Sequence, residues 1–185
     1  MFWVTFFSQT GSEIAEICKR IQKWPDIVCT NKPISEIGSI NSDLLQECFN
    51  KILFLPAKPT VAEYTTACKS ARKNHNSIIT LHGYLRIIPK TICDLYSIYN
   101  GHPGDITTHP CLKGFNPQEK AYNLKIKETG SVIHRVTAEV DDGPIAAFKK
   151  CKINLKSMKS TYEILHNNSV NLWVEFLTKT FNIKK

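Results

Sequence analysis

The sequence predicts an α/β fold: a mostly parallel central sheet flanked by helices, with a late antiparallel strand pair. Three observations carry this. Up to about residue 100, short apolar runs alternate with stretches whose apolar residues recur at helical spacing. The first run, Met1-Phe2-Trp3-Val4-Thr5-Phe6-Phe7, is apolar but for Thr5, as suits a strand buried on both faces. Beyond residue 130 the pattern changes, and 131–140 and 145–153 read as paired strands around the turn Asp141-Asp142-Gly143-Pro144.

The elements follow in order. Residues 12–22 place Ile14, Ile17, Cys18 and Ile21 on one helical face, with Ser12 as a cap. Residues 26–30 form a short strand, 31–40 a loop and 42–48 a helical turn. Ile52-Leu53-Phe54-Leu55 is a second buried strand; 61–73 is helical, 77–81 is a strand, and 92–96 is a short helix before the strand at 98–100. A final helix covers 160–180, with Ile164, Leu165, Leu172 and Phe176 on its apolar face. Alternation of strand and helix implies right-handed crossovers in a parallel sheet. No internal repeat, linker or low-complexity segment is evident, and Lys184-Lys185 read as a frayed tail.

Composition narrows the function classes. A chain of 185 residues, 42% hydrophobic, fits one domain, 1–185, with a real core. Lys and Arg number 24 against 16 Asp and Glu, a net charge of +8 that favours anionic partners. No run of five like charges concentrates it, and base-stacking aromatics interleaved with Lys or Arg are not evident, so nucleic acid is not the expected partner. The seven cysteines are scattered without a Cys-x-x-Cys pair, which reads as reduced thiols in the cytoplasm and not as a disulfide framework or a metal site. The apolar start lacks a basic flank and meets Ser8-Gln9-Thr10-Gly11 at once, so neither a signal peptide nor a membrane helix is expected.

The chemistry concentrates between Asn100 and Pro144. Asn100-Gly101-His102-Pro103 supplies a carboxamide and an imidazole, and Asp141 supplies a carboxylate ahead of Gly143-Pro144. Each piece is ordinary loop vocabulary; in this order, they suit acyl transfer to an amine. Asn100 can donate an amide N–H to an oxyanion. His102 titrates near neutral pH and can carry a proton. Two residues apart on an extended segment, they point to the same side. Asp141 can hold the imidazole in place and favour its charged form. Gly11-Ser12-Glu13 lies at a strand-to-helix turn, where free N–H groups favour a phosphate. Glu13 would repel that phosphate, so it must turn away or bind a sugar hydroxyl.

With Gly83-Tyr84-Leu85-Arg86-Ile87-Ile88 upstream, Ser131-Val132-Ile133-His134 before the Asp141 loop and Ser8-Gln9-Thr10-Gly11-Ser12-Glu13 at the start, the chain resembles the folate-dependent formyltransferases, most closely the glycinamide ribonucleotide transformylases. The counterparts in that family are Gly-Phe-Met-Arg-Ile-Leu, Asn-x-His-Pro, Asp-x-Gly-Pro, Ser-Val-His and Ser-Gly-x-Gly-Ser-Asn. The resemblance covers most of the chain and is strong over 77–145. It implies a Rossmann-like formyltransferase fold and Asn100, His102 and Asp141 as the catalytic residues. It also implies 10-formyltetrahydrofolate as the donor, read by Leu85, Arg86, Ile87, Ile88, Val140 and Asp141 largely through main-chain groups, in a pocket between the 86–88 backbone and the 140–141 loop. Gly11, Ser12 and Glu13 would face the acceptor, no metal is involved, and the working unit is a monomer or homodimer.

Departures from the family's pattern leave the donor side and the catalytic trio recognisable and the acceptor open. No clear Arg stands at 58–61, where the family has a basic residue for folate; the family's ribose-binding Glu is missing near Asn167-Asn168; and 114–118 is closer to formyltransferases acting on sugars or tRNA. The expected reaction is therefore formyl transfer to the primary amine of a small phosphorylated, nucleotide-like acceptor. A sugar-nucleotide N-formyltransferase, a 10-formyltetrahydrofolate hydrolase and a basic nucleotide-binding domain without catalysis are the alternatives. The hydrolases carry an added amino-terminal domain and the tRNA enzymes an added carboxyl-terminal one, which the length disfavours. Retention of all three catalytic residues speaks against the inactive reading. His82 and His134 are each open between packing and a part in the site.

Overall fold

A computed structural model describes residues 1–73 and 76–183; the expected frayed tail, Lys184-Lys185, lies outside them. The chain packs as two compact units, Met1–Asn100 and Gly101–Lys185.

The first unit is built on parallel strands β1 (Phe2–Phe7), β2 (Ile27–Thr30), β3 (Ile52–Phe54), β4 (Ser77–Leu81) and the opening residues of β5 (Ile98–His102). Their spatial order is β3-β2-β1-β4-β5. β1 is central, with Val4 opposite both Ile27 and Ile79, and its residues Trp3 to Phe7 are buried. The chain winds outward from β1 to β3 on one side, then returns to β4 on the other. The crevice beyond the carboxyl ends of β1 and β4 is thus a topological switch point, where open α/β sheets bind ligands.

Helices join these strands. α1 (Ser12–Ile21) buries Ile14, Ile17, Cys18 and Ile21, and its Glu13 at the start and Lys19 and Arg20 at the end complement the helix dipole. α2 (Ser42–Cys48) is capped by Asn41, whose side chain accepts from the N–H groups of Asp43 and Leu44. α3 (Val61–Lys73) begins with a reciprocal cap between Thr60 and Glu63, and α4 (Lys90–Leu95) leads into β5. The stretch expected as plain loop, 31–40, instead contains the 3-10 helix Ile34–Ser39, which buries nothing and is held by local bonds such as Ser39 Oγ to the Glu36 carbonyl. Its lack of an apolar face is why periodicity could not reveal it.

The second unit holds α5 (Pro117–Asn123), the antiparallel strands β6 (Glu128–Arg135) and β7 (Ile145–Lys152), and α6 (Met158–Thr180). Its core joins Ile106, Leu112, Ala121, Val132, Ile153 and Leu165. The fold is the expected one: a mostly parallel sheet flanked by helices, with a late antiparallel strand pair. Three details differ. α5 was not expected, because Pro117 reads as a breaker although it suits a helix's first turn. β6 starts at Glu128 and ends at Arg135, before the expected 140. Gly130 lies inside it because an added Cβ would meet the Lys149 carbonyl at 2.5 Å. The buried face of α6 runs through Thr161, Leu165, Asn168, Leu172, Trp173 and Leu177, leaving Ile164 and Phe176 half-buried. Asn168 tolerates burial because its amide donates to Ser131 Oγ at 3.1 Å and to the Lys149 carbonyl at 2.7 Å.

Candidate active site

Asn100 and His102 both lie on β5, two residues apart and so on one side of the strand. Gly101 separates them for a steric reason: a Cβ there would lie 2.2 Å from Trp173 Nε1 on α6. His102 is buried, with Nε2 2.9 Å from the Leu112 carbonyl and Nδ1 3.2 Å from Asp141 Oδ2.

Asp141 sits on the loop between β6 and β7. Its φ is 52°, a left-handed conformation that costs a non-glycine residue about 1–2 kcal/mol and that Asp tolerates better than most. The loop closes through Arg135 N–H to the Pro144 carbonyl at 2.9 Å, and Gly143 is required because a Cβ would fall 1.7 Å from the Arg135 carbonyl oxygen. The carboxylate points inward. One oxygen meets His102 and the Gly114 N–H, at 3.2 and 2.8 Å; the other meets His134 Nε2 at 3.2 Å. Burial opposes ionisation of this group. The bonds from His102 and His134, the charge on His102 and the Gly114 N–H prevail and hold the carboxyl well below the usual carboxylate range.

His134 therefore belongs to this cluster. Its Nδ1 lies 3.1 Å from the Arg135 carbonyl, so each imidazole stands between a carbonyl oxygen and the same carboxylate. Both neighbours are acceptors. A neutral ring satisfies one of them and an imidazolium satisfies both. The sequence left His134 open because β6 carries a register shift between Ile133 and His134, which breaks the strict alternation that strand reasoning relies on. Leu112 and Gly114 contribute main-chain atoms that no side-chain motif marks. Asp142, next to Asp141, instead faces outward and pairs with Lys113.

In the first unit, Gly11 caps α1 with φ 72°, and a Cβ there would lie 2.6 Å from Leu44 Cδ2. Thr10 Oγ1 lies 2.7 Å from Ser12 Oγ. Glu13 turns toward β4, where His82 Nδ1 lies 3.2 Å from its Oε2; His82 Nε2 lies 3.0 Å from Thr80 Oγ1. The loop after β4 turns at Gly83, φ 59°, and is tied to the loop after β1 by Leu85 N–H to Ser8 Oγ at 2.8 Å. With its amide turned to donate to Ser8 Oγ, Asn31 accepts from the Arg86 guanidinium, which also donates to the carbonyls of Ala57 and Leu85. Ile88 is core, whereas Leu85 and Ile87 are 44% and 70% exposed. In the second unit Val140 is exposed too.

All seven cysteines are free; five are buried, and burial pushes the Cys68 thiol up to about 12. Among the described residues, no group of His, Cys, Asp and Glu is arranged to hold a metal ion, and no helix is long and apolar enough to cross a membrane.

The sheet order and the late antiparallel pair define a fold shared with formyl transferases of known structure. The chain belongs to the formyl transferase family, whose pattern it matches over residues 4–176. It is 31% identical over 94 residues to the phosphoribosylglycinamide formyltransferase of Bacillus subtilis, a match covering 50% of this chain and 47% of that protein. It thus spans about half the length of that curated relative. Two solved structures are similar in fold. Phosphoribosylglycinamide formyltransferase from Campylobacter jejuni superposes with a TM-score of 0.76 at 20% identity, over 97% of each chain. A sugar N-formyltransferase from a Shewanella species superposes with a TM-score of 0.68 at 20% identity, over 100% of this chain and 72% of the other.

Proposed function

We propose that the protein transfers the formyl group of 10-formyltetrahydrofolate to the primary amine of a small phosphorylated, nucleotide-like acceptor. The observation that carries this reading is the Asp141 carboxylate held between His102 and His134, in a chain of the formyl transferase family.

The acceptor amine attacks the formyl carbon, forming a C–N bond and an oxyanion. Asn100 donates to that oxygen. As the tetrahedral intermediate collapses, the bond from carbon to the folate nitrogen breaks. The proton shed by the attacking amine passes to the leaving nitrogen, carried by His102 when its Nε2 exchanges the Leu112 carbonyl for the substrate. Asp141 holds His102 in place through its Nδ1. Leu85, Arg86, Ile87 and Ile88, together with Val140 and Asp141, hold the donor, their main-chain groups reading the pterin edge. Gly11, Ser12 and Glu13 face the acceptor.

A second reading, a sugar nucleotide as acceptor, is favoured by Glu13 standing where a bare phosphate would otherwise bind. To test the function, the protein is given 10-formyltetrahydrofolate with a panel of amino nucleotides and amino sugar nucleotides, and tetrahydrofolate release is followed. Release that depends on one acceptor class supports transfer. Release independent of every amine identifies a donor hydrolase instead, and no release identifies a binding domain.

A further inference from the structure

The Arg86 guanidinium ties together the loops that follow the parallel strands of the first unit. Ser8 directly follows β1, Asn31 directly follows β2, Ala57 lies on the loop after β3, and Leu85 and Arg86 lie on the loop after β4. Arg86 Nε donates to the Ala57 carbonyl at 2.6 Å, Nη1 to the Leu85 carbonyl at 2.8 Å and Nη2 to Asn31 Oδ1 at 3.2 Å. Asn31 is buried; its amide donates to Ser8 Oγ at 2.6 Å, and that oxygen also accepts the Leu85 N–H at 2.8 Å. The bonds thus form a closed ring that leaves from the side chain of Arg86 and returns to its neighbour. A planar fork with donors at fixed angles suits this junction, and a single ammonium does not. The loop itself is pinned at both ends: Tyr84 and Ile88 are buried, and the Tyr84 hydroxyl lies 2.9 Å from that of Tyr64 on α3. Residues 85–87 between them are exposed, so their backbone owes its order to hydrogen bonds more than to packing.

We propose that Arg86 is a positioning residue: its side chain sets the backbone of 85–88 against the loops after β1, β2 and β3, and it acts on the donor through that backbone and not through its own charge. The proposal rests on the formyl-transfer reading, in which the main-chain groups of 85–88 read the donor's ring. All three guanidinium nitrogens donate within the protein. If the side chain swung out to a ligand, the buried Asn31 oxygen would lose this donor and the Ala57 carbonyl would be released. Holding the loop in one form before the donor arrives spares the ordering cost that binding would otherwise meet.

Calorimetry on the full chain with a 5-deazafolate analogue and with its bis-amide, which lacks the two glutamyl carboxylates, separates positioning from direct contact. Arg86→Ala should weaken both ligands by about tenfold or more, and by the same factor. Arg86→Lys keeps the charge but not the fork and should weaken both likewise; as the milder change, it carries the comparison if Arg86→Ala does not fold. Asn31→Ala should weaken them too, with a loss that does not add to that of the Arg86 variants. With no ligand present, the Leu85 N–H should exchange with solvent about tenfold faster or more in the folded Arg86 variants. A loss confined to the carboxylated analogue, full binding by Arg86→Lys, losses that add with Asn31→Ala, or Leu85 exchange unchanged within about twofold would overturn the proposal. A wild-type protein that binds neither ligand would overturn the donor reading instead, and Leu85 exchange would then decide on its own whether Arg86 orders the loop.

Discussion

His134 Nε2 lies 3.2 Å from Asp141 Oδ1, opposite the oxygen that faces His102, so one buried carboxylate is gripped from two sides. If His134 positions Asp141 and does not itself touch substrate, His134→Asn should lower kcat by about tenfold, less than loss of a proton-transfer group at roughly 10²–10⁴. KM for the donor should hold steady, and the pH profile of kcat should move. An unchanged pH profile alongside lower kcat would assign His134 to packing.

The depressed Asp141 carboxyl sets a pH dependence of stability. Its folded value lies well below that of the unfolded chain, near 3.9. The stabilisation is therefore present above the unfolded value and is lost as pH falls below it toward the folded one. Thermal unfolding followed from about pH 6 to pH 3 should show Tm falling more steeply for the wild-type protein than for Asp141→Asn. Parallel curves would remove Asp141 from the account of acid sensitivity.

Gly101 and Gly38 form a matched pair. Ala at 101 would drive its Cβ into the Trp173 indole, whereas nothing lies within 4 Å of a Cβ at 38. Gly101→Ala should cost about 1–3 kcal/mol, with the backbone of β5 or the indole displaced. Gly38→Ala should leave denaturant midpoints nearly unchanged. Equal effects would contradict the close approach of Gly101 and Trp173.

Donor binding can be measured without an acceptor. A 5-deazafolate analogue should bind at about micromolar strength, roughly −8 kcal/mol. Leu85→Asp and Ile87→Asp, both at exposed positions, should each weaken it tenfold or more without loss of folding. Neither heat nor a thermal shift at about millimolar ligand would remove the folate reading.

β1 was legible because burial on both faces writes itself as a run apolar but for Thr5, from Trp3 to Phe7; β3, expected to be buried, instead leaves Leu53 37% exposed because it is the edge strand of the sheet. The helices were legible from period, although α1 is capped at Gly11 and not at Ser12 as expected. Ile34–Ser39 and α5 were not, since neither signals itself by an apolar stripe. Asn100, His102 and Asp141 could be singled out from order and chemistry, but what holds them could not. His134 depends on a register shift, Leu112 and Gly114 act through main-chain atoms, and Gly101 depends on a tryptophan 72 positions later, at Trp173. Glu13 was legible as a difficulty; its resolution by His82 needed the adjacency of β1 and β4. A side chain at Gly11 would also meet Leu44 of α2, so a larger residue there would disturb α2 as well as the turn at the start of α1.

The central claim is tested most directly by formyl-transfer rates of four single variants, each checked for folding. Asn100→Ala, His102→Ala and Asp141→Ala should each slow transfer by at least roughly 10², with losses that do not add in double variants. Asp142→Ala, whose carboxylate faces outward to Lys113, should cost about tenfold or less. Near-full activity in His102→Ala, or an essential Asp142 beside a dispensable Asp141, would contradict the account.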